Sequence, residues 1–237
     1  MDKRSPAPNS QSKNVWYLAI TQALPVMLGY LPIGFAYGVL AQKADLSIFN
    51  TLLMSVAVFA GSAQLIAVEL FALGMAPISI VLTTFVVNLR HLLMSASLFP
   101  HVQRWEKTEK AVFAFELTDE TFALHSLRAT QQKFTKNETF IINIFTHSTW
   151  ILGTGLGVLL GGQIIETELF ALDYALPAMF IALLVMQLKT KPQVIVAVLA
   201  GFLSLGLYLL GLNRWYVIIA AVIGASIGVW IERWMKN

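Results

Sequence analysis

Cysteine is absent from all 237 residues, which excludes a disulfide framework, thiolate catalysis and any cysteine-based metal site. Charge is scarce too: Asp, Glu, Lys and Arg make up 12% of the chain, about half of what a soluble domain carries. No Walker loop or other glycine-rich phosphate cradle occurs, so ATP is not a direct energy source. HExxH and comparable metal spacings are missing, as is a Gly-x-Ser-x-Gly elbow. The cations behind the net charge of +3 sit in short loops and tails, unlike a nucleic-acid-binding face. These absences predict a protein that is not an enzyme and uses no metal, cofactor or nucleic acid.

Apolar residues are plentiful, at 57%. They recur in runs of roughly 20, each long enough to cross about 30 Å of hydrocarbon. The runs lack strand-like alternation, so the expectation is an all-α polytopic membrane bundle rather than a barrel. Eight apolar segments are read at about 15–41, 50–73, 77–99, 110–128, 138–161, 170–188, 193–211 and 214–233. Seven or eight of them cross, depending on 110–128, which is short and holds three acids; it spans, re-enters or lies at the interface. Residues 1–14 (MDKRSPAPNSQSKN) read as a disordered basic cytoplasmic arm, and 15–237 as a single transmembrane transport domain. The first apolar run outlasts the core of a cleaved signal peptide. With Arg128 counted among the loop cations, Lys and Arg divide ten inside to five outside if all eight segments cross. The division is eleven to four, with the N-terminus outside, if 110–128 does not, and both counts place the C-terminus in the cytoplasm.

Several segments carry groups that hydrocarbon does not tolerate without a reason. The first, LPVMLGYLPIGFAYG, has Pro25 and Pro32 among Gly29, Gly34 and Gly38. Each proline removes a backbone donor, so a broken or strongly kinked first helix is predicted, with freed backbone groups near the midplane. The second holds Ser62 and Gln64, read either as interhelical glue or as ligands. In TTFVVNLRHLLMSASLF (residues 83–99), Thr84, Asn88, His91 and Ser95 form one helical stripe with Arg90 beside it. Arg90 is 13 residues past Pro77 and 10 before Pro100, too central to snorkel, so it faces the interior and needs an acidic or carbonyl partner. In FELTDETFAL, Glu116, Asp119 and Glu120 stand at i, i+3 and i+4, so all three carboxylates are expected on one helical face. Crowded acids of this kind suit proton carriage, or else form the solvated face of a surface helix. The fifth segment has Asn143, His147 and Thr154 on one stripe, with His147 read as a core histidine or a proton carrier. Gly153, Gly157 and Gly161 follow at a close-packing spacing that Gly224 and Gly228 repeat.

PIGFAYGVLA, AGSAQLIA, VVNLRHLLMSASL and FELTDETFAL, in this order within the first 125 residues, resemble the AzlC family. These are the large subunits of bacterial two-component branched-chain amino acid exporters, also described as the YgaZ or BrnF type. The resemblance implies export of valine, leucine, isoleucine and often methionine, driven by the proton-motive force across the inner membrane. It also implies a small AzlD-type membrane partner.

Substrate-binding candidates, chosen from the residues themselves, are Gly29, Pro32, Gly34, Ser62, Gln64, Asn88 and Arg90. Arg90 or the N–H groups around Gly34 are expected to meet the substrate carboxylate. Proton-coupling candidates are Asp119, Glu120, Glu116 and His91. The alternative is a non-transporting membrane scaffold or regulatory subunit whose polar stripes only hold helices together.

Overall fold

The computed structural model describes residues 10–131, 134–161 and 190–211, with isolated positions between 174 and 231. Among the described residues there are helices and turns but no strand. The chain divides into two compact units, Met1–Phe180 and Ile181–Asn237.

In the first unit three helices are long and apolar enough to cross a membrane: α1 (Ser10–Lys43, apolar from Val15), α4 (Pro77–Val102) and α7 (Lys136–Gly161). Between them lie two pairs of short helices. The first pair is α2 (Ile48–Ala57) and α3 (Gly61–Ala72); the second is α5 (Lys107–Phe115) and α6 (Asp119–Thr130). At 1.5 Å per residue, 9 to 12 residues cover only about 14–18 Å, half of the hydrocarbon depth.

The seam between α1 and α7 is the spine of this unit. Ala19 and Ala23 pack on Ile141 and Ile142, while Gly34 faces Gly153 and Val39 faces Gly161. Contacts advance together along both helices, so the two run parallel. The close-packing role expected of Gly153, Gly157 and Gly161 is what the seam shows. A Cβ on Gly153 would stand 2.6 Å from the Leu31 carbonyl oxygen.

Parallel packing of α1 and α7 leaves α4 to bring the chain back, and both short pairs are hairpins that return to the end they came from. Leu65 and Val68 of α3 pack with Ala41 and Leu46, beside the start of α2. At the opposite end, Glu109 near the start of α5 bonds Lys136, and Arg128 near the end of α6 bonds Glu138. Segments 50–73 and 110–128 are therefore hairpins of short helices rather than single long ones, and they enter the unit from opposite ends with their tips meeting inside it.

Two expectations are corrected here. The first helix is not broken: α1 runs continuously through Pro25 and Pro32. Both prolines lie on its exposed side, while Ala23, Tyr30, Gly34 and Tyr37 are held against the rest of the unit; packing keeps the helix continuous where local hydrogen bonding is weakened. The breaks fall instead at Val58–Ala60 and Glu116–Thr118. Because of the second break, Glu116, Asp119 and Glu120 do not share one helical face: Glu116 caps the end of α5, whereas the other two open α6.

Phe59 makes the first break with φ of 41°, a conformation seldom adopted by a bulky residue. Its ring is fully packed, stacked on the His147 imidazole at 3.9 Å and set edge-on to Tyr30. Those contacts offset the strain of order 1–3 kcal/mol that such a backbone stores.

The second unit is described along α8 (Lys191–Leu209), which begins with a reciprocal Thr190–Gln193 cap. A Cβ on Gly224 or Gly228 would stand 3.0 and 3.3 Å from Ala200 and Val196, so this glycine pair packs against α8. The expected segments 170–188 and 214–233 otherwise lie outside the described residues.

Candidate functional site

Both hairpin tips face one small polar cavity. It is lined by Phe59, Ala60, Gly61 and Ser62 from the first tip and Thr118, Asp119 and Glu120 from the second. Tyr30, Arg90, His91 and Trp150 complete it from α1, α4 and α7. Its free space is about 10 Å³, room for about one water molecule.

Arg90 sits at the centre. One terminal nitrogen, Nη2, lies 2.9 Å from Asp119 Oδ2 and also donates to Ser62 Oγ, while Nε has no partner among the described residues. The guanidinium thus ties α4 to the first turns of both α3 and α6. α3 starts with Ala60 before it and no side-chain cap, so its first N–H groups lack a built-in acceptor and suit an anion. α6 is capped: Thr118 accepts from Thr121 N at 3.2 Å and donates its own N–H to Thr121 Oγ1 at 2.8 Å. Asp119 and Glu120 occupy its first turn, where the helix dipole favours carboxylates. Tyr30 donates to Glu120 Oε2 at 2.9 Å and contacts the Thr118 hydroxyl.

The third acid points elsewhere. Glu116 meets His147 Nδ1 at 3.1 Å from both carboxylate oxygens, and Nε2 of the same ring lies 3.0 Å from the Ser55 carbonyl. Behind it, Gln64 donates to Ser55 Oγ at 3.1 Å, and Ser55 and Thr154 hydroxyls pair at 2.8 Å.

A separate polar cluster fastens the root of the second hairpin. His125 and Asn143 pair at 2.7 Å, and Arg128 reaches Glu138 at 2.6 Å and Thr139 at 3.1 Å. Arg128 is 3% exposed, so it is a buried lock rather than a loop cation. At the surface nearby, the bond from Lys136 at 2.6 Å, helped by the Glu106 N–H, holds the Glu109 carboxyl below its ordinary range.

The cavity and all its lining residues fall inside one stretch of recognisable sequence: the model of the AzlC protein family matches residues 25–164. The chain belongs to the AzlC family. Relatives extend the match over most of its length. An uncharacterized membrane protein of Archaeoglobus fulgidus is 30% identical over 94% of this chain and 98% of its own. The inner membrane protein YgaZ of Escherichia coli is 28% identical, with 84% and 85% covered. The branched-chain amino acid transport protein AzlC of Bacillus subtilis is 26% identical, with 90% and 86% covered. No solved structure matches the chain significantly. With its long apolar helices, this AzlC-family chain is a multi-pass membrane protein.

Of the residues singled out from sequence, Ser62, Arg90, His91, Asp119 and Glu120 line the cavity. Gln64 stands behind it in the Ser55 network, and Asn88 is half-buried with Oδ1 unpartnered among the described residues. Gly29, Pro32 and Gly34 do not line it. A Cβ on Gly29 would touch nothing within 4 Å, Pro32 is exposed, and Gly34 faces the Trp150 carbonyl in the α1–α7 seam. Thr84 bonds back to its own helix at Ile80 and Val81. Tyr30, Phe59, Thr118 and Trp150 escaped the reading of the sequence. One signal pointed to two of them: Phe-x-x-Ser-x-Gln-x-x-Ala at 59–67 is echoed by Phe-x-x-Thr-x-Glu-x-x-Ala at 115–123, and both stretches form hairpin tips.

Proposed function

We propose that this chain is the large subunit of a two-component secondary exporter of branched-chain and related neutral amino acids: valine, leucine, isoleucine and methionine. The proton-motive force across a bacterial inner membrane drives it, and a small AzlD-type membrane protein is its partner. The name of the Bacillus subtilis relative supports the substrate class. The observation that carries the reading is the Arg90–Asp119 ion pair, held at 2.9 Å where two re-entrant hairpins meet.

An α-amino acid is itself a paired cation and anion. Its carboxylate replaces Asp119 on Arg90 and draws on the uncapped N–H groups of α3, with Ser62 as a further donor. Its ammonium replaces Arg90 on Asp119, beside Glu120. The ion pair thus holds the place of a zwitterion, and binding must part it, because the remaining space admits only about one water. Asn88 and Gln64, each with a side-chain oxygen unpartnered among the described residues, serve as orienting groups. Asp119, Glu120, Glu116 and His91 are the candidates for proton coupling.

The end of the first unit where α4 meets α5 and α6 meets α7 carries Arg104, Lys107, Lys110 and Lys136. Lys3, Arg4 and Lys13 precede the apolar run of α1 in the sequence, and Lys43 follows it. That excess supports a cytoplasmic side for the first end and the N-terminal arm. The Lys and Arg counts along the chain support a cytoplasmic C-terminus as well.

Efflux of labelled valine, leucine and methionine from cells expressing the chain, with and without the small partner, tests the proposal. Gradient-dependent efflux that requires both proteins is expected. Absence of efflux, and of counterflow in proteoliposomes containing both proteins, would leave a scaffold or regulatory subunit instead.

A further inference from the structure

His147 has an acceptor at each ring nitrogen. The Ser55 carbonyl oxygen, 3.0 Å from Nε2, can only accept, so Nε2 carries a hydrogen. A neutral imidazole would then offer a bare lone pair at Nδ1, and an ionised carboxylate offers lone pairs alone. Yet both Glu116 oxygens lie 3.1 Å from Nδ1. The contact closes only if one more proton is present, on Nδ1 as imidazolium or on Glu116 as a carboxylic acid. In either form the pair is neutral and holds one proton that another conformation need not keep.

The surroundings make that proton consequential. His147 is 9% exposed and the Glu116 side chain 14%, so an unprotonated pair would leave one net negative charge and opposed lone pairs where little water reaches. The groups facing His147 are Glu116 from the end of α5, the Ser55 carbonyl from the last turn of α2, and the rings of Phe59 and Phe115. α1 contributes Tyr30 and Tyr37 around Trp150, one turn further along α7. Of the acids in the cavity, Asp119 has a fixed cation, whereas Glu120 accepts only from the neutral Tyr30 hydroxyl.

Position adds the link to movement. Glu116 ends the first arm of one hairpin and Ser55 lies just before the tip of the other. His147 bonds both, from a helix locked to α1. Loss of the proton repels Glu116 from Nδ1 and removes one of the contacts that hold the second tip, leaving those of Asp119 with Arg90 and of Glu120 with Tyr30.

We propose that Glu116 and His147 together form the proton-binding site that couples transport to the gradient, distinct from the zwitterion position at Arg90 and Asp119. The site takes a proton from the outer side and releases it to the cytoplasm. This rests on the transport reading above.

The test uses the full chain with its partner in proteoliposomes, comparing wild type with Glu116→Gln and His147→Gln. Glutamine at 116 donates to a neutral Nδ1 and so imitates the protonated pair permanently. Glu116→Gln is expected to retain counterflow of labelled valine while gradient-driven accumulation falls about 5–150-fold, the range of an ordinary coupling free energy. His147→Gln is expected to lose accumulation as well. Accumulation at the wild-type level in a folded form of either variant would overturn the proposal. Wild-type protein without counterflow would instead overturn the transport reading.

A second measurement needs neither transport nor a folded variant. Solid-state NMR of wild type labelled with ¹⁵N-histidine and ¹³C-glutamate identifies His147 by its contact with a glutamate carboxyl. A proton shared between Nδ1 and that carboxyl is expected. A bare Nδ1 with no proton in the contact would overturn the proposal.

Discussion

Arg90 Nη2 and Asp119 Oδ2 meet at 2.9 Å, one from midway along α4 and the other from the first turn of α6. The pair is both a clasp between a spanning helix and a hairpin tip and the charge pattern that a zwitterion would displace. A double substitution separates the two roles. Arg90→Ala, inserted normally, is expected to lower valine efflux about 10–100-fold, the worth of a charged hydrogen bond. If the pair is only a clasp, Arg90→Gln with Asp119→Asn restores efflux, because two neutral amides still bond. If it holds substrate, the double variant stays inactive. Wild-type efflux by Arg90→Ala would remove the carboxylate assignment altogether.

Topology is directly measurable, since the chain has no cysteine of its own. Single cysteines at Ser47 and Met75, which flank the first hairpin, are expected to react with an impermeant maleimide from the same, outer side. Those at Gln103 and Gln131, flanking the second, should react only from the cytoplasmic side. All four positions are exposed. Labelling of Ser47 and Met75 from opposite sides would mean that 50–73 spans after all.

The α1–α7 seam predicts opposite outcomes at neighbouring glycines. A Cβ on Gly157 would run into the Phe35 carbonyl, while one on Gly155 would meet nothing within 4 Å. Gly157→Ala is expected to cost about 1–3 kcal/mol through overpacking. Gly155→Ala should be neutral, or stabilise by up to about 1 kcal/mol through helix propensity. Thermal unfolding of the detergent-solubilised protein distinguishes them.

Arg128→Ala removes the partner of Glu138, which bonds it at 2.6 Å with the arginine 3% exposed. The expected cost is about 3 kcal/mol, the lower end for breaking a buried ion pair, because Glu138 keeps 16% exposure. Efflux per folded molecule should change little, as the cluster lies at the root of the hairpin and not at its tip. A large loss of activity with unchanged unfolding would contradict this.

Much of the site was legible before any coordinates. An arginine too far from either interface to snorkel needed an acidic or carbonyl partner, and the structure gives it Asp119. The motifs in the first 125 residues pointed to the AzlC family, and the match over 25–164 agrees. Helix breaks were misplaced because proline and glycine report only the local cost of bending. α1 tolerates two prolines since glycines let α7 pack along it, whereas the chain breaks at Phe59, whose strained backbone is stabilised by His147 and Tyr30. Neither of those ring contacts is written in the neighbourhood of residue 59.

The sequence by itself determined that this is a helical membrane protein with charges buried in its apolar segments. Hydrocarbon forces that conclusion through length and composition alone. Only the tertiary structure decided that two of those segments fold as hairpins of short helices, and that the three acids of ELTDE go to different partners. A single turn of broken helix sends Glu116 to His147, Asp119 to Arg90 and Glu120 to Tyr30. Spacing along a chain fixes shared faces only while the helix continues; beyond a break, packing against other helices sets the direction of each side chain.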